Sequence, residues 1–276
     1  MNFPIPFAKL NGTGNDFIVI DHRQPAIAVA DQPGFARAVC RRNFSVGADG
    51  LILIENSDEA DFSWRFYNAD GSVAEMCGNG ARCAARFAFL KGIAAAKMRF
   101  VTLAGIIRAE VTDGSVMIGL TPPASLRLDT GLQLAGDAVT VDSVNTGVPH
   151  VVLFTGDNGE ARVREWGRQI RFHDEFQPAG TNVNFVQVTG PDALHVRTYE
   201  RGVEDETMAC GTGATAAAVI AALRGRVRPP VKVTTSGGMQ LVIHFRVEED
   251  GVARDLALEG PAHFVYEGLL QPDALL

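Results

Sequence analysis

Lysine and cysteine are scarce in this chain, and each shortage excludes a class of function. The 276 residues hold four lysines, Lys9, Lys91, Lys97 and Lys232, none set where a Schiff base to pyridoxal phosphate is expected. The four cysteines, Cys40, Cys77, Cys83 and Cys210, form no C-x-x-C pair. A structural zinc site wants closely paired ligands, so no metal is expected. Nor is a disulfide framework, because the N-terminus MNFPIPFAKLNG lacks a basic stretch followed by an apolar one and reads as no export signal. The expectation is reduced thiols in the cytoplasm. Positive charge is also in short supply, with 25 Lys and Arg against 32 Asp and Glu, a formal net charge of −7. The one basic cluster, Arg224 to Lys232, is short, so nucleic acid is not an expected partner. The longest apolar run, Ala216 to Leu223, falls far short of the roughly 20 residues that span a bilayer, so no membrane span is expected.

What is present is an ordinary folded composition, 46% hydrophobic and 21% charged, at a length that suits two domains. The chain also repeats itself. Residues 77–92, CGNGARCAARFAFLKG, align with residues 210–225, CGTGATAAAVIAALRG, at nine of sixteen positions and an offset of 133. Alanine inflates such a score, but the same offset holds elsewhere in the chain. Gly14 falls on Gly147, Gly47 on Gly180, Thr102 on Thr235 and Gly105 on Gly238. The alternating FSWRFY at 62–67 falls on HVRTYE at 195–200, and IIRAEV at 106–111 on MQLVIH at 239–244, after which the register slips.

Each half therefore reads as the same unit. A Gly-rich turn and strand lead to a helix (Phe35–Arg42; Glu165–Arg171), then apolar or alternating strands. A Cys-Gly-x-Gly turn opens an Ala-rich helix that Gly92 or Gly225 terminates. The hairpin turns Asp113-Gly114 and Asp250-Gly251 imply antiparallel pairing. The two Ala-rich helices have little polar surface, Arg82 and Arg86 excepted, and look buried with a sheet wrapped round each. The expected fold class is α/β (α+β), two pseudo-symmetric repeats of mixed, largely antiparallel sheet curled round a central helix. The repeats are drawn at 1–121 and 122–263, with the terminal strand 264–276 available to complete the first and the active site expected in the cleft between them.

A cysteine in apolar surroundings is ordinarily a small buried hydrophobe, and Cys40 and Cys83 are read that way. Their repeat counterparts are His173 and Ala216, so the duplication keeps neither. Cys77 and Cys210 differ, because the same thiol stands before Gly-x-Gly in both halves, at a helix N-terminus. Free N–H groups and the positive end of the helix favour a thiolate there. The turn GTGATA at 211–216 also fits the dinucleotide fingerprint, but the polar GVEDETMA before it is no strand, and the match is set aside. Anion binding at the helix N-terminus survives, with a substrate carboxylate the natural anion. Paired thiols suit inversion of a stereocentre: one thiolate removes an α-proton from one face and the other thiol returns one to the opposite face. Asn15, Asn68 and Asn182 each stand at a turn beside a strand, where turn formation is the simpler reading. Glu200-Arg201 admits a surface ion pair, and His150 at the head of a strand a structural role.

With those residues assembled, the sequence resembles the diaminopimelate epimerases over essentially its whole length. The resemblance rests on GTGNDF at 12–17, FYNADGS at 66–72 with MCGNGARC at 76–83, and YERGVEDETMACGTGA at 199–214. It implies two pseudo-symmetric domains, a homodimer, no cofactor, and interconversion of LL- and meso-diaminopimelate by two thiols. It makes Cys77 and Cys210 the acid/base pair, and places Gly78, Asn79, Gly211 and Thr212 at the proximal carboxylate. Asn15, Asn68, Asn182, Glu200 and Arg201 would hold the substrate, while His150 and Glu200 would tune the thiols. Two positions depart from the pattern: Val148 stands where many members have Asn before Pro-His, and Gly50 where some have a contacting Gln. Both bear on the distal end of the substrate.

Two rival readings remain. A cofactor-independent racemase for proline, hydroxyproline or histidine would share fold and thiols, although Asn79 and Glu200-Arg201 favour the diaminopimelate branch. A non-enzymatic binder of small anions would use the helix N-termini without turnover. Replacing either cysteine by Ala separates them, since only an enzyme loses turnover.

Overall fold

In a computed structural model describing residues 1–276, the apolar runs FIVI and LILI lie in adjacent strands buried on both faces. Such runs suit a strand covered on two sides, whereas FSWRFY alternates. The chain divides into two units, Met1–Ile118 with Gly260–Leu276, and Gly119–Glu259. These limits lie a few residues before the repeat boundaries drawn from the sequence.

The first unit contains β1 (Ile5–Gly12), β2 (Asn15–Asp21), β3 (Gly50–Glu55), β4 (Phe62–Asn68), β5 (Lys97–Thr102), β6 (Gly105–Val111) and β7 (Ser115–Gly119). Chain order is also spatial order. β1–β2, β3–β4, β5–β6 and β6–β7 are antiparallel, while β2–β3 and β4–β5 are parallel. The C-terminal strand His263–Leu270 lies antiparallel on the outer edge of β1, Ile5 facing Leu270.

The second unit contains β8 (Ala124–Leu134), β9 (Asp137–Asn145), β10 (Pro149–Phe154), β11 (Asn182–Gly190), β12 (Ala193–Glu200), the short β13 (Asp205–Thr207), β14 (Val231–Thr235), β15 (Gln240–Val247) and β16 (Ala253–Pro261). Setting β13 aside, the order is β8-β9-β10-β11-β12-β14-β15-β16. The parallel pairs are β10–β11 and β12–β14. With the C-terminal strand, β17, placed before β1, the first unit shows the same succession of antiparallel and parallel pairs. The duplication thus extends to topology, and β17 stands where β8 stands in its own unit. The register slips late because β15 and β16 make a longer, bulged hairpin, with the irregularity between His244 and Arg246.

A helix runs through each sheet, α2 (Gly78–Leu90) in the first unit and α4 (Gly211–Leu223) in the second. α2 packs on β1, β2, β3, β6 and β17, and α4 on β9, β10, β11, β12, β14 and β15. Packed on strands toward both ends of its own sheet, each helix is wrapped by it. Alanine on every side allows this approach, and a helix apolar all round has to be enclosed. Gly92 (φ 65°) and Gly225 (φ 66°) end the helices in the left-handed conformation. Gly92 N–H donates to Phe89 O at 3.1 Å and Ile93 N–H to Ala88 O at 2.8 Å, which satisfies the last carbonyls.

The outer helices are α1 (Gln32–Val39) and α3 (Val163–Arg171). α1 lays Phe35, Ala36 and Val39 on Ile18, Ile20, Leu51 and Leu53, and α3 lays Val163 and Ile170 on Val151, Val183 and Phe185. α1 begins before the expected Phe35 because Pro33 suits the first turn, where a missing N–H costs nothing. It stops before Arg42 because Gly47 and Ala48 N–H groups take the carbonyls of Val39 and Cys40. Arg82, read from the sequence as polar surface, is fully buried instead. No helix is long and apolar enough to cross a membrane.

Candidate active site

In the first unit Cys77 (φ −146°, ψ 116°) is the N-cap of α2, and its Sγ accepts from Gly80 N–H at 3.4 Å. The thiol thereby occupies the place a Ser or Asp side chain usually takes at a helix start. Gly78 and Asn79 follow in the first turn. Asn79 Nδ2 donates to Asn15 Oδ1 at 2.7 Å, and Asn15 Nδ2 donates to Asp49 Oδ2 at 3.0 Å. Asp49 is itself held by Arg42 at 2.9 Å. On its other side Asn79 Oδ1 accepts from Thr13 Oγ1 at 2.9 Å and Arg82 Nη2 at 2.7 Å. Thr13 is buried in the tight β1–β2 turn at φ 52°, an uncommon conformation for a β-branched residue. A single polar chain thus runs from Arg82 through Asn79 and Asn15 to Asp49.

Asn68 ends β4, and its Nδ2 donates to Ser72 Oγ at 3.0 Å within its own turn. Gly50 faces Asn68 across β3–β4. A Cβ at Gly50 would lie 2.5 Å from Phe66 Cε2 and 2.8 Å from Tyr67 O. Phe66 therefore fills the space a side chain at position 50 would need.

In the second unit Cys210 (φ −125°, ψ 108°) is the N-cap of α4. Its Sγ lies 3.5 Å from Thr212 Oγ1, which is 2.9 Å from His150 Nε2. Proton directions follow from Asn184. Its Nδ2 donates to Val151 O at 2.8 Å and to His150 Nδ1 at 3.2 Å, and its Oδ1 accepts from Thr198 Oγ1 at 2.9 Å. Nδ1 being the acceptor, Nε2 carries the proton and donates to Thr212, whose own hydroxyl proton is left for Cys210 Sγ. His150 is 1% exposed, and burial, with the Arg201 charge, pushes it down to about 3, so the imidazole is neutral. Cys210 is pushed up to about 11 by burial and then by the Glu200 charge, against the opposing hydrogen bond from Thr212. Burial also raises Glu200. Asn182 Nδ2 donates to Pro149 O at 3.3 Å, and its Oδ1 accepts from Arg201 N–H at 2.8 Å. Arg201 Nη1 reaches Ala179 O at 2.8 Å.

Within the first unit, then, Asn15, Cys77, Gly78 and Asn79 cluster at one helix N-terminus, while Asn68 is bound into its own turn. Within the second, His150, Cys210, Gly211 and Thr212 cluster at the other, with Asn182 one bond from the backbone at each of Pro149 and Arg201. Cys40 and Cys83 are buried away from solvent, and burial pushes the Cys40 thiol to about 12. No group of three or more His, Cys, Asp or Glu is arranged to hold a metal.

Sequence reasoning missed Thr13, Arg82, Thr146 and Asn184. Thr13 and Thr146 obey the offset of 133, and both reach the first turn of their helix, since Thr146 Oγ1 donates to Thr212 O at 2.9 Å. Asn184 follows Asn182 by two residues on one strand, so both share a face, the one opposite Val183 and Phe185 in the outer core. That alternation is a signal the sequence holds.

Known proteins resemble this chain in sequence and in fold. A family model described as diaminopimelate epimerase matches residues 7–123 and 143–265. A diaminopimelate epimerase of Aquifex aeolicus is 50% identical over 280 residues, covering 98% of this chain and 99% of that one. One of Archaeoglobus fulgidus is 40% identical, covering 98% of each. Among solved structures, a PhzF-family phenazine biosynthesis protein of Bacillus anthracis superposes with a TM-score of 0.73 at 14% identity, covering 98% of this chain and 100% of that one. A probable proline racemase of Agrobacterium radiobacter gives 0.69 at 17% identity, covering 98% and 95%. These distant structures share the fold. The match of the family model across both repeats, with the near full-length relatives, places the chain in a family: it belongs to the diaminopimelate epimerases.

Proposed function

We propose that this protein is an isomerase that interconverts LL- and meso-diaminopimelate, a step of lysine biosynthesis, with Cys77 and Cys210 moving the α-proton and no pyridoxal phosphate. The observation that carries the reading is the pair of cysteines at equivalent N-caps of two equivalent helices, in a chain of this family. One thiolate takes the proton from the α-carbon, and the other thiol delivers one to the opposite face. The N–H groups of Gly78, Asn79, Gly211 and Thr212 are the donors for the α-carboxylate, where charge develops as the proton leaves. Asn15, Asn68, Asn182, Glu200 and Arg201 hold the rest of the substrate.

The second unit supplies the proton control. His150, neutral and oriented by Asn184, presents Thr212 so that its hydroxyl donates to Cys210 when that sulfur is negative. Glu200 favours the protonated thiol. Cys210 is therefore the acid in one direction and, having given its own proton to the substrate, the base in the other. Cytoplasmic location and a homodimer are proposed on the family resemblance alone.

Incubation of reduced protein with LL-diaminopimelate, followed by chiral separation, should yield meso product. Cys77→Ala and Cys210→Ala should each lower turnover by about two to four orders of magnitude, the usual worth of a positioned acid or base. Racemisation of proline, hydroxyproline or histidine in place of diaminopimelate would favour the other racemase reading, and binding without turnover the anion binder.

A further inference from the structure

Arg82 is a buried cation without a counter-ion. It is 0% exposed, on the second turn of α2. Its guanidinium folds back to the first turn: Nη1 donates to Gly78 O at 3.4 Å, and Nη2 to Asn79 Oδ1 at 2.7 Å and to Thr13 Oγ1. Nε donates to Pro261 O at 3.4 Å. Every one of these acceptors is neutral. Enclosing a charge this way is costly unless an anion accompanies it, and guanidinium does not escape the cost by losing its proton.

The groups able to supply that anion are few. Two thiols share its helix, Cys83 next to it and Cys77 at the N-cap whose first turn the guanidinium folds onto, and either would favour the cation if ionised. Burial raises Cys83, which stays neutral. Elsewhere on α2 and the strands round it, charged groups pair with each other: Lys9 and Arg42 with Asp16, Arg42 also with Asp49 at the far end of the polar chain, Arg23 with Asp21, His22 and Arg65 with Glu55, Lys97 with Glu110, and Lys91 with Glu267. Glu75, Arg108 and His263 are exposed, and Arg86 reaches Thr112 O at 3.4 Å. Cys77, the cap of the same helix, is what remains.

The second unit has the opposite arrangement at equivalent positions. Thr215 stands in place of Arg82, and its hydroxyl makes the corresponding bond, to Gly211 O at 2.9 Å. Glu200 stands in place of Tyr67, and the neutral His150 in place of Phe17. Duplication conserved the two thiols and divided the charges between them, a cation to one and an anion to the other.

We propose that Arg82 is a positioning residue that holds Cys77, rather than Cys210, as the resting thiolate. The inference rests on the two-thiol reading above and assigns each thiol its resting state: Cys77 as thiolate is the base for the stereoisomer whose α-hydrogen faces it, with Cys210 the acid, and the reverse direction runs from the form that turnover leaves, Cys210 as thiolate and Cys77 as thiol.

The test is the pH dependence of alkylation by iodoacetamide in the reduced full-length protein, with Cys77 and Cys210 followed separately by peptide mass spectrometry. Midpoints, each normalised to its own high-pH plateau, report ionisation and not access. In the wild type the Cys77 midpoint should lie below that of Cys210. Arg82→Gln should raise it by about one pH unit or more, the usual effect of removing a close opposite charge, without moving Cys210. Arg82→Lys should bring it back. A wild-type Cys77 midpoint at or above that of Cys210, or one that Arg82→Gln leaves unchanged, overturns the proposal. If Arg82→Gln does not fold, the wild-type order of the two midpoints and Arg82→Lys decide. Absence of epimerase turnover would sink the functional reading while leaving these midpoints as they are, so the two failures are distinguishable.

Discussion

Glu200 and His150 act on Cys210 by different means, and each can be tested alone. Glu200 raises the thiol by its charge, so Glu200→Gln should lower the alkylation midpoint of Cys210 by up to about one pH unit and leave Cys77 where it was. An unchanged midpoint would leave burial as the whole cause. His150 acts as a neutral hydrogen-bonding group, and its burial has a consequence for stability. Its ordinary value is 6.5 and in the fold it is pushed to about 3, so below pH 6.5 the unfolded chain binds a proton that the native state resists. The stability tied to this residue is complete above that pH and declines as pH falls toward 3, by about 1.4 kcal/mol per pH unit. Between pH 7 and pH 5 in urea, the wild type should lose about 2 kcal/mol more than His150→Gln; equal losses would contradict a buried neutral imidazole. Cys77 and Cys210 were legible in the sequence because the repeat marked them. Arg82 was not, since a sheet expected round an alanine-rich helix gives no sign that a guanidinium is enclosed with it rather than left at the surface.

At the scale of elements, the two central helices begin alike but tolerate different changes. A Cβ on Gly213 would fall well inside contact distance of Asn184 Oδ1 and 3.3 Å from Cys210 Sγ. At Gly80 it would meet Ile52 Cδ1 at 3.4 Å and Cys77 Cβ at 3.6 Å, which is ordinary contact. Gly213→Ala should therefore cost about 1–3 kcal/mol and disturb the Asn184–His150–Thr212 chain, whereas Gly80→Ala should be neutral or gain up to about 1 kcal/mol of helix propensity. Equal effects in thermal unfolding would contradict the close approach of Asn184 to α4. The ends of these helices were legible because Cys-Gly-x-Gly and the terminal glycines are local signals. The limits of α1 were not, because carbonyl capping by Gly47 and Ala48 comes from a loop that the local pattern of residues 32–42 does not contain.

Across the whole molecule the duplication decides the architecture. The repeated offset revealed two like units, and the sheet order confirms it strand for strand, with β17 completing the sheet that β1 would otherwise leave with an open edge. Leu270 belongs to the outer core beside α1, and Ala274 and Leu275 pack on it. Deleting residues 263–276 should therefore speed hydrogen exchange in β1 and α1 while β10, β11 and α4 keep their protection. Uniform loss of protection, or none, would contradict that dependence. The pairing of β17 with β1 joins residues far apart in the chain, and no short-range pattern carries it. The sequence offered the terminal strand 264–276 to complete the first repeat, but not the edge it would join.

The measurement that bears most directly on the proposed two-base chemistry is a first-turnover reaction of reduced protein with LL-diaminopimelate in D2O, with substrate and product analysed separately. Two bases predict meso product carrying one deuterium at the inverted α-carbon while the remaining LL substrate stays protiated. Product that retains the substrate's own proton, or LL substrate that takes up deuterium before meso product appears, would contradict the account.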